Sequence, residues 1–313
     1  MRLPISLLVL AAVAACPALA GPVDFGMAEL NAAIESRNFK YKPKFMAELD
    51  IQAPETFRIE PYAAGGGHIT GGDLRGLMYG LLEAAEQMRA TGRLKMTHGV
   101  PALALRGIRV AAEPDASWFS SPEFWQRYFA QMARDRFNRL EVTLEAAPGQ
   151  SAFPALQLIG QTAAQYGVDL AIGFGAPDLD AIQRLLQNCA SVKVVVLHHP
   201  GETANTPGLF HILNDAGRRV VLELPDNPGT AGLIEEAGRA GMPLRLFSTF
   251  TGVVSNPQPR DSYWEMDPAQ GSDAVNAISG AGFEIAGSLD EQRRPLLDSI
   301  ADWGRSGYTR PQH

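Results

Sequence analysis

The runs VKVVVLHH (residues 192–199) and RRVVLELP (residues 218–225) carry the strongest structural signal in the chain. Their continuously apolar centres are typical of strands in a parallel sheet that is buried on both faces. Similar short runs recur from residue 100 onward. The predicted strands are Ala104–Val110, Arg139–Leu144, Val168–Phe174, Val192–His198, Arg219–Leu224 and Pro243–Phe247.

Helical segments separate these strands. They are predicted at about 122–135, 153–166, 177–188, 208–216 and 229–240. Pro122, Pro154 and Pro177 sit where prolines in the first turn of a helix are tolerated. Repeated strand–helix units without a glycine-rich dinucleotide loop favour a (β/α) barrel over a doubly wound sheet. A later strand at Gly282–Gly287 makes seven, whereas closure normally takes eight. The eighth is either hidden near 249–254, or the barrel is open.

Residues 22–98 form a separate small unit. Its predicted elements are a helix over Met27–Arg37, strands over Phe45–Ile51 and Thr56–Tyr62, and a glycine-rich turn leading into a helix that ends near Met88. Glycine-rich loops before helices can hold phosphate, but this one lacks the known phosphate-binding motifs. Gly76 and Gly80 are instead predicted to let the helix pack closely on a sheet. The predicted class is therefore α/β: a small N-terminal α/β domain followed by a shortened (β/α)8-type (TIM) barrel over residues 100–313.

The first twenty residues are predicted to be a signal peptide. Arg2 supplies a positive start, residues 7–15 are apolar, and Ala18-Leu19-Ala20 fits a cleavage site. The alternative is a lipobox over residues 13–16, in which Cys16 carries a lipid anchor. Either route predicts a periplasmic or extracellular protein. Cleavage after Ala20 leaves Cys189 as the remaining cysteine, so no intramolecular disulfide is expected.

Composition excludes several classes of function. The 313 residues carry a formal charge of −7, and no Lys/Arg block is present, so nucleic-acid binding is not expected. The chain lacks a later run long enough to span a membrane. The sequence contains neither a G-x-G-x-x-G nor a P-loop motif, and we predict no cofactor. His198 and His199 are adjacent on a predicted strand and point to opposite faces, so we predict no metal site.

Acidic residues cluster where the barrel strands end. Ligands of (β/α) barrels bind at the carboxyl ends of the strands, and a glycosidase needs one protonated and one ionised carboxyl group there. Nearby aromatic residues, namely Trp118, Phe119, Tyr263 and Trp264, could stack on sugar rings. The residues predicted to bind substrate are Glu145, His198, His199, Asn227, Trp264 and Glu284.

Three stretches resemble glycoside hydrolases. The run ITGGDLRGLMYGLLEAAE (69–86) resembles the last strand and helix of the small domain that precedes the barrel in family-67 α-glucuronidases and β-hexosaminidases. LRGIR (105–109) resembles their first barrel strand, and residues 124–141, from Phe124-Trp125 to RFNRLE (136–141), resemble the helix and second strand that follow.

The resemblance implies an exported, carbohydrate-active enzyme. In the α-glucuronidases the general acid is a Glu after the fourth barrel strand, and the matching residue is Glu202. Glu223 or Asp226 is then predicted to be the base or nucleophile. The alternatives are a non-catalytic carbohydrate-binding protein that keeps the hydrolase fold, or an internally deleted relic with an exposed apolar edge.

Overall fold

The computed structural model describes residues 21–101, 105–112, 114, 118–144, 152–175, 178–198, 206–217, 219–225, 230–251, 262–265 and 308–309. The described elements build a small mixed sheet and a barrel of parallel strands. The backbone therefore belongs to the α/β class, as the sequence predicts.

The small sheet uses the first part of the chain. Its elements are α1 (Pro22–Glu35), β1 (Lys44–Leu49), β2 (Phe57–Pro61), β3 (Gly66–Gly71), α2 (Leu74–Thr91) and β4 (Thr97–Pro101). The strand order is β1-β3-β2-β4, and a short late strand, Tyr308–Thr309, pairs antiparallel with β4. β1 and β3 run parallel, whereas β2 is antiparallel to both β3 and β4.

Glycines set how closely α2 approaches this sheet. A Cβ on Gly76 would lie 2.3 Å from the carbonyl oxygen of Thr56, and one on Gly80 would lie 2.8 Å from Cγ2 of Ile69. The close-packing interpretation of these two glycines is therefore confirmed. The glycine-rich segment before α2 is not the predicted turn, because residues 66–71 form β3. A Cβ on Gly71 would lie 2.2 Å from the backbone nitrogen of Leu77, so β3 needs a residue without a side chain where it meets the start of α2.

The rest of the described chain alternates strands with helices. The elements are β5 (Arg106–Ala111), α3 (Pro122–Arg134), β6 (Arg139–Leu144), α4 (Phe153–Gln165), β7 (Asp169–Phe174), α5 (Leu179–Asn188), β8 (Val192–Leu197), α6 (Thr206–Asp215), β9 (Val221–Pro225), α7 (Ala231–Arg239), β10 (Leu244–Thr251) and β11 (Ser262–Glu265). They confirm the predicted helices and the six predicted strands between residues 104 and 247, with ends shifted by a few residues.

Strands β5 to β11 close into a barrel in which every described neighbour runs parallel. β11 lies between β10 and β5, so these strands leave no unpaired barrel edge of the kind expected for a relic. The sequence leaves two alternatives, an eighth strand near 249–254 or an open barrel. Instead, β10 continues to Thr251 and the closing strand is β11. The strand predicted at 282–287 and the helices predicted at 272–279 and 290–302 lie outside the described residues.

Side chains alternate between the two faces of each barrel strand. On β6, Leu140, Val142 and Leu144 belong to the large core that the helices cover, so Arg139, Glu141 and Thr143 face the barrel interior. Part of that interior is apolar, formed by Leu105, Ala171, Val194 and Val196. Another part carries charged side chains, which is unusual because buried charges are costly unless they are paired.

An ionic junction joins the small sheet to the amino-terminal end of the barrel. Glu55 precedes β2 and is 8% exposed. Its carboxylate accepts hydrogen bonds from the guanidinium of Arg106, from Nη1 of Arg75 at 2.6 Å and from Nδ2 of Asn138 at 3.0 Å. Arg75 also pairs with Asp169, the first residue of β7, at 3.0 Å. These contacts place the small sheet against the amino-terminal ends of strands β5 and β7.

No helix in the described part of the chain is long and apolar enough to cross a lipid bilayer.

Candidate functional site

A buried charged cluster lies inside the barrel toward the carboxyl ends of its strands. Glu141 of β6 is fully buried, and its Oε2 accepts a hydrogen bond from Nε of Arg109 on β5 at 3.0 Å. Its Oε1 lies 2.5 Å from Nε2 of His198, directly after β8. Arg109 is 6% exposed and His198 is 14% exposed, so His198 is the member most open to solvent. We name Arg109, Glu141 and His198 the mouth cluster.

The Glu141–His198 contact crosses over strand β7, which lies between β6 and β8. It can do so because β7 has a glycine at that point. A Cβ on Gly173 would lie 2.2 Å from Oε1 of Glu141 and 2.8 Å from Nε2 of His198. No side chain larger than a hydrogen atom fits beneath this pair without moving it.

The charge of Glu141 follows from its partners. Burial alone would raise the pKa of this carboxyl group, but the positive charge of Arg109 and the hydrogen bond from His198 outweigh it and hold the pKa below its ordinary value. An ionised carboxylate bonded to one imidazole nitrogen fixes the ring's orientation and its tautomer. The mouth cluster therefore presents a rigidly oriented histidine to the barrel opening.

Thr143 extends the polar surface beside this cluster. It lies two residues after Glu141 on β6, shares the inward face, and pairs in register with Gly173. Its Oγ1 is buried and has no hydrogen-bond partner among the described residues. Thr143 therefore adds a hydroxyl group to the inward face of β6 beside Glu141.

A second charged cluster occupies the same interior. Glu223 of β9 is fully buried, and its Oε1 accepts hydrogen bonds from Nη1 of Arg139 at 2.8 Å and Nη1 of Arg245 at 3.3 Å. Leu222 and Leu224 belong to the helix-covered core, so Glu223 faces the interior. The sequence predicts Glu223 as one of two candidates for the base or nucleophile. Glu223 is an interior carboxylate that is itself paired.

The predicted site residues fall into two groups. His198 and Glu223 both lie within the barrel, and Trp264 lies on β11. The remaining candidates lie outside the described residues, so their roles stay predictions; they are Glu145, His199, Glu202, Asp226, Asn227 and Glu284. Phe119, expected near the opening as a sugar-stacking ring, is fully buried and packs edge-on against Trp125, so that expectation is wrong.

Sequence reasoning missed Arg109 and Glu141. Both interrupt otherwise apolar strands, RGIRVA and RLEVTL, and both lie on the face opposite the helix-packed residues. A charged residue at an inward position of a buried strand was the available signal. Within the described residues, no group of three His, Cys, Asp or Glu side chains could hold a metal ion.

Comparison with known proteins supports a hydrolase-type fold. No protein-family model and no curated protein sequence matches the chain. Among solved structures, the chain is similar to a GH138 enzyme targeting pectin rhamnogalacturonan II, with a TM-score of 0.60 and 13% identity over 74% of this chain and 47% of that one. The fold of this protein is glycoside hydrolase-like. The match spans about half the length of that enzyme.

Two further solved structures are less similar. A family-20 β-N-acetylglucosaminidase aligns with a TM-score of 0.47 and 14% identity over 71% of this chain and 68% of that chain. A family-115 4-O-methyl-α-glucuronidase with specificity for decorated arabinogalactans aligns with a TM-score of 0.41 and 13% identity over 91% of this chain and 38% of that chain.

Proposed function

We propose that this protein is an exported glycoside hydrolase-like protein that binds polysaccharide-derived glycosides over the carboxyl ends of its barrel strands. The observation that carries the proposal is the mouth cluster, in which a buried carboxylate holds a histidine at the opening of a hydrolase-like fold. The hydroxyl of Thr143 adds a hydrogen-bonding group at the same opening. In our proposal the barrel is a shortened variant of the (β/α)8 architecture, and residues 22–98 are a separate hexosaminidase-like domain.

The proposed chemistry uses carboxylates that follow the barrel strands in the sequence. Glu202, after β8, is the proposed general acid, as the resemblance to family-67 α-glucuronidases implies. Asp226, directly after β9, is preferred over Glu223 as base or nucleophile. Glu223 is fully buried and bonded to two arginines, so it has no accessible oxygen to offer a sugar or a water molecule in this arrangement. Uronic acids and hexosamines are the proposed sugars.

Turnover of aryl glycosides tests the acid and the base separately. Glu202→Gln is expected to lower kcat by about 10²–10⁴-fold on substrates with poor leaving groups, since these need a proton. The same variant should keep most of its activity on dinitrophenyl glycosides, whose leaving group needs none. Asp226→Asn should lose activity on both. Undiminished turnover by Glu202→Gln on poor leaving groups would remove it from the role.

A non-catalytic sugar-binding protein is the second candidate. One observation favours this second candidate: the two carboxylates described inside the barrel, Glu141 and Glu223, are both buried and bonded to arginines. Isothermal titration calorimetry with the same glycosides distinguishes the two functions. Binding that is lost in His198→Ala, with no turnover in the wild-type protein, would select the binding function.

The proposed location is periplasmic or extracellular. It is supported by the signal-peptide pattern of residues 1–20, with cleavage after Ala20 and lipidation of Cys16 as the alternative forms of processing. Fractionation of cells that produce the full chain, followed by mass spectrometry of the mature N-terminus, tests the location and the cleavage site together.

A further inference from the structure

A cleft of about 610 Å³ lies in the small sheet, away from the barrel opening. Three segments line it: the connection from α1 to β1, the turn from β2 to β3, and the residues just after α2. The barrel-side end of the small sheet is marked by Glu55, before β2, and by Arg75, at the start of α2. The cleft lies at the opposite ends of both elements, and an 18-residue helix spans about 27 Å.

Aromatic rings in this cleft are open to solvent. Tyr41 is 80% exposed and Tyr62 is 40% exposed, and both line the cleft together with Phe39. The turn that carries Tyr62 is fixed by backbone hydrogen bonds to Gly65 and Gly66. Gly66 has a φ of +83°, and a Cβ there would lie 1.9 Å from the carbonyl oxygen of Lys44, so this glycine is required. The Tyr62 ring is therefore held on a defined backbone.

Positive charge is concentrated around the same cleft. Four of the chain's five lysines lie in or next to its lining segments, namely Lys40, Lys42, Lys44 and Lys95. Arg93 also lines the cleft, and Nζ of Lys40 lies 5.6 Å from the centroid of the Tyr41 ring. Over the described residues, no carboxylate forms an ion pair with any of these five cations. The chain as a whole carries −7, so this is a local reversal of its charge.

We propose that this cleft is a second binding site, separate from the barrel opening, for oligosaccharides that carry carboxylate groups. The tyrosine rings supply faces for stacking on sugar rings, as apolar surfaces with a polar tip. Lys40 and Arg93 supply charge for the carboxylates. The site is concave, which suits a segment of a chain better than the flat surface of a bilayer. The residues that line the cleft belong to the small sheet and its connections, so the proposed binding does not depend on the chemistry at the barrel opening.

Isothermal titration calorimetry with short oligogalacturonates tests the proposal, with maltohexaose as the uncharged comparison. Wild-type protein is expected to bind the charged oligosaccharide more tightly than the neutral one. The double variants Tyr41→Ala/Tyr62→Ala and Lys40→Ala/Arg93→Ala should each weaken binding by roughly tenfold or more. Tyr41→Phe keeps the ring and should bind like the wild type, as should Arg184→Ala, which removes an exposed cation from α5.

Several results would overturn the proposal. The first is that oligogalacturonate does not bind, or binds no more tightly than maltohexaose. The second is wild-type affinity for oligogalacturonate in Tyr41→Ala/Tyr62→Ala. The third is tighter binding of anionic phospholipid vesicles or single-stranded DNA than of oligogalacturonate. His198→Ala separates this site from the barrel opening, because it should leave oligogalacturonate binding at the cleft unchanged. Failure at the cleft would likewise leave the aryl-glycoside results standing.

Discussion

At the scale of single residues, the barrel interior is organised by pairing. Each buried carboxylate there has arginine partners: Glu141 has Arg109, and Glu223 has Arg139 and Arg245. Removing one member of a buried pair typically costs about 3–5 kcal/mol, because the other charge stays buried without compensation. Glu141 differs from Glu223 because its Oε1 contacts Nε2 of His198, the most exposed member of the mouth cluster.

Gly173→Ala tests that distinction. The new Cβ would lie 2.2 Å from Glu141 Oε1, so the carboxylate and the imidazole must separate, and glycoside binding or turnover is expected to fall by at least about tenfold. Gly175→Ala is the matched control, because a Cβ there meets nothing within 4 Å. Calorimetric titration of both variants measures the effect, and thermal unfolding checks that both are folded. Equal affinity in the two variants would contradict a role for the Glu141–His198 contact.

At the scale of elements, the observed helices and strands match the sequence-based prediction where apolar periodicity is strong. They differ from it where pairing or packing with other elements determines the structure. The units from α3 to α7 are predicted because each helix has an apolar face and each strand a buried run. β11 is not predicted, because Ser262–Glu265 lies in a polar, proline-rich stretch and is a strand only through its pairing with β10 and β5. The sequence pattern predicts a turn at β3 because glycine-rich segments are typical of turns. The structure shows a strand there, buried against α2.

The candidate site follows the same division. His198 and Glu223 are predictable because polar residues stand out at or near the ends of apolar strands. The mouth cluster is not predictable as a unit, because Arg109, Glu141 and His198 come from three strand units and meet only when the barrel closes. The requirement for Gly173 is likewise invisible before Glu141 and His198 are placed on either side of it.

The packing of α2 on the small sheet gives an element-scale prediction. Gly76→Ala puts a methyl group 2.3 Å from a backbone oxygen and is expected to destabilise the protein by about 1–3 kcal/mol. Gly232→Ala makes the same exchange near the start of α7, where nothing lies within 4 Å, and should stabilise by up to about 1 kcal/mol. Urea denaturation of the two variants should therefore show opposite signs. A neutral Gly76→Ala would refute the tight contact.

At the scale of the whole molecule, the small sheet and the barrel are joined by charges. Glu55 and Asp169 both bind Arg75, which links the start of α2 to the start of β7. Burial opposes ionisation of Glu55, but Arg106 and Arg75 outweigh it and lower its pKa. Burial would also raise the pKa of Asp169, yet Arg75, Arg139 and Lys193 lower it to about 2 from 3.8. The junction therefore depends on both carboxyl groups being ionised.

This dependence predicts acid sensitivity with a defined sign. Because the folded-state pKa of Asp169 lies below its unfolded value of 3.8, its contribution of about 2 kcal/mol is complete well above pH 4 and is lost as the pH falls toward 2. Glu55 adds to the loss in the same direction. Urea denaturation at pH 7, 4 and 3 should show falling stability, and Asp169→Asn should be less stable at pH 7 and flatten the decline. Asp180→Asn, which removes an exposed carboxylate on α5, should keep the wild-type profile. An Asp169→Asn profile that falls as steeply as the wild type would show that the linkage between sheet and barrel does not rest on this ion pair.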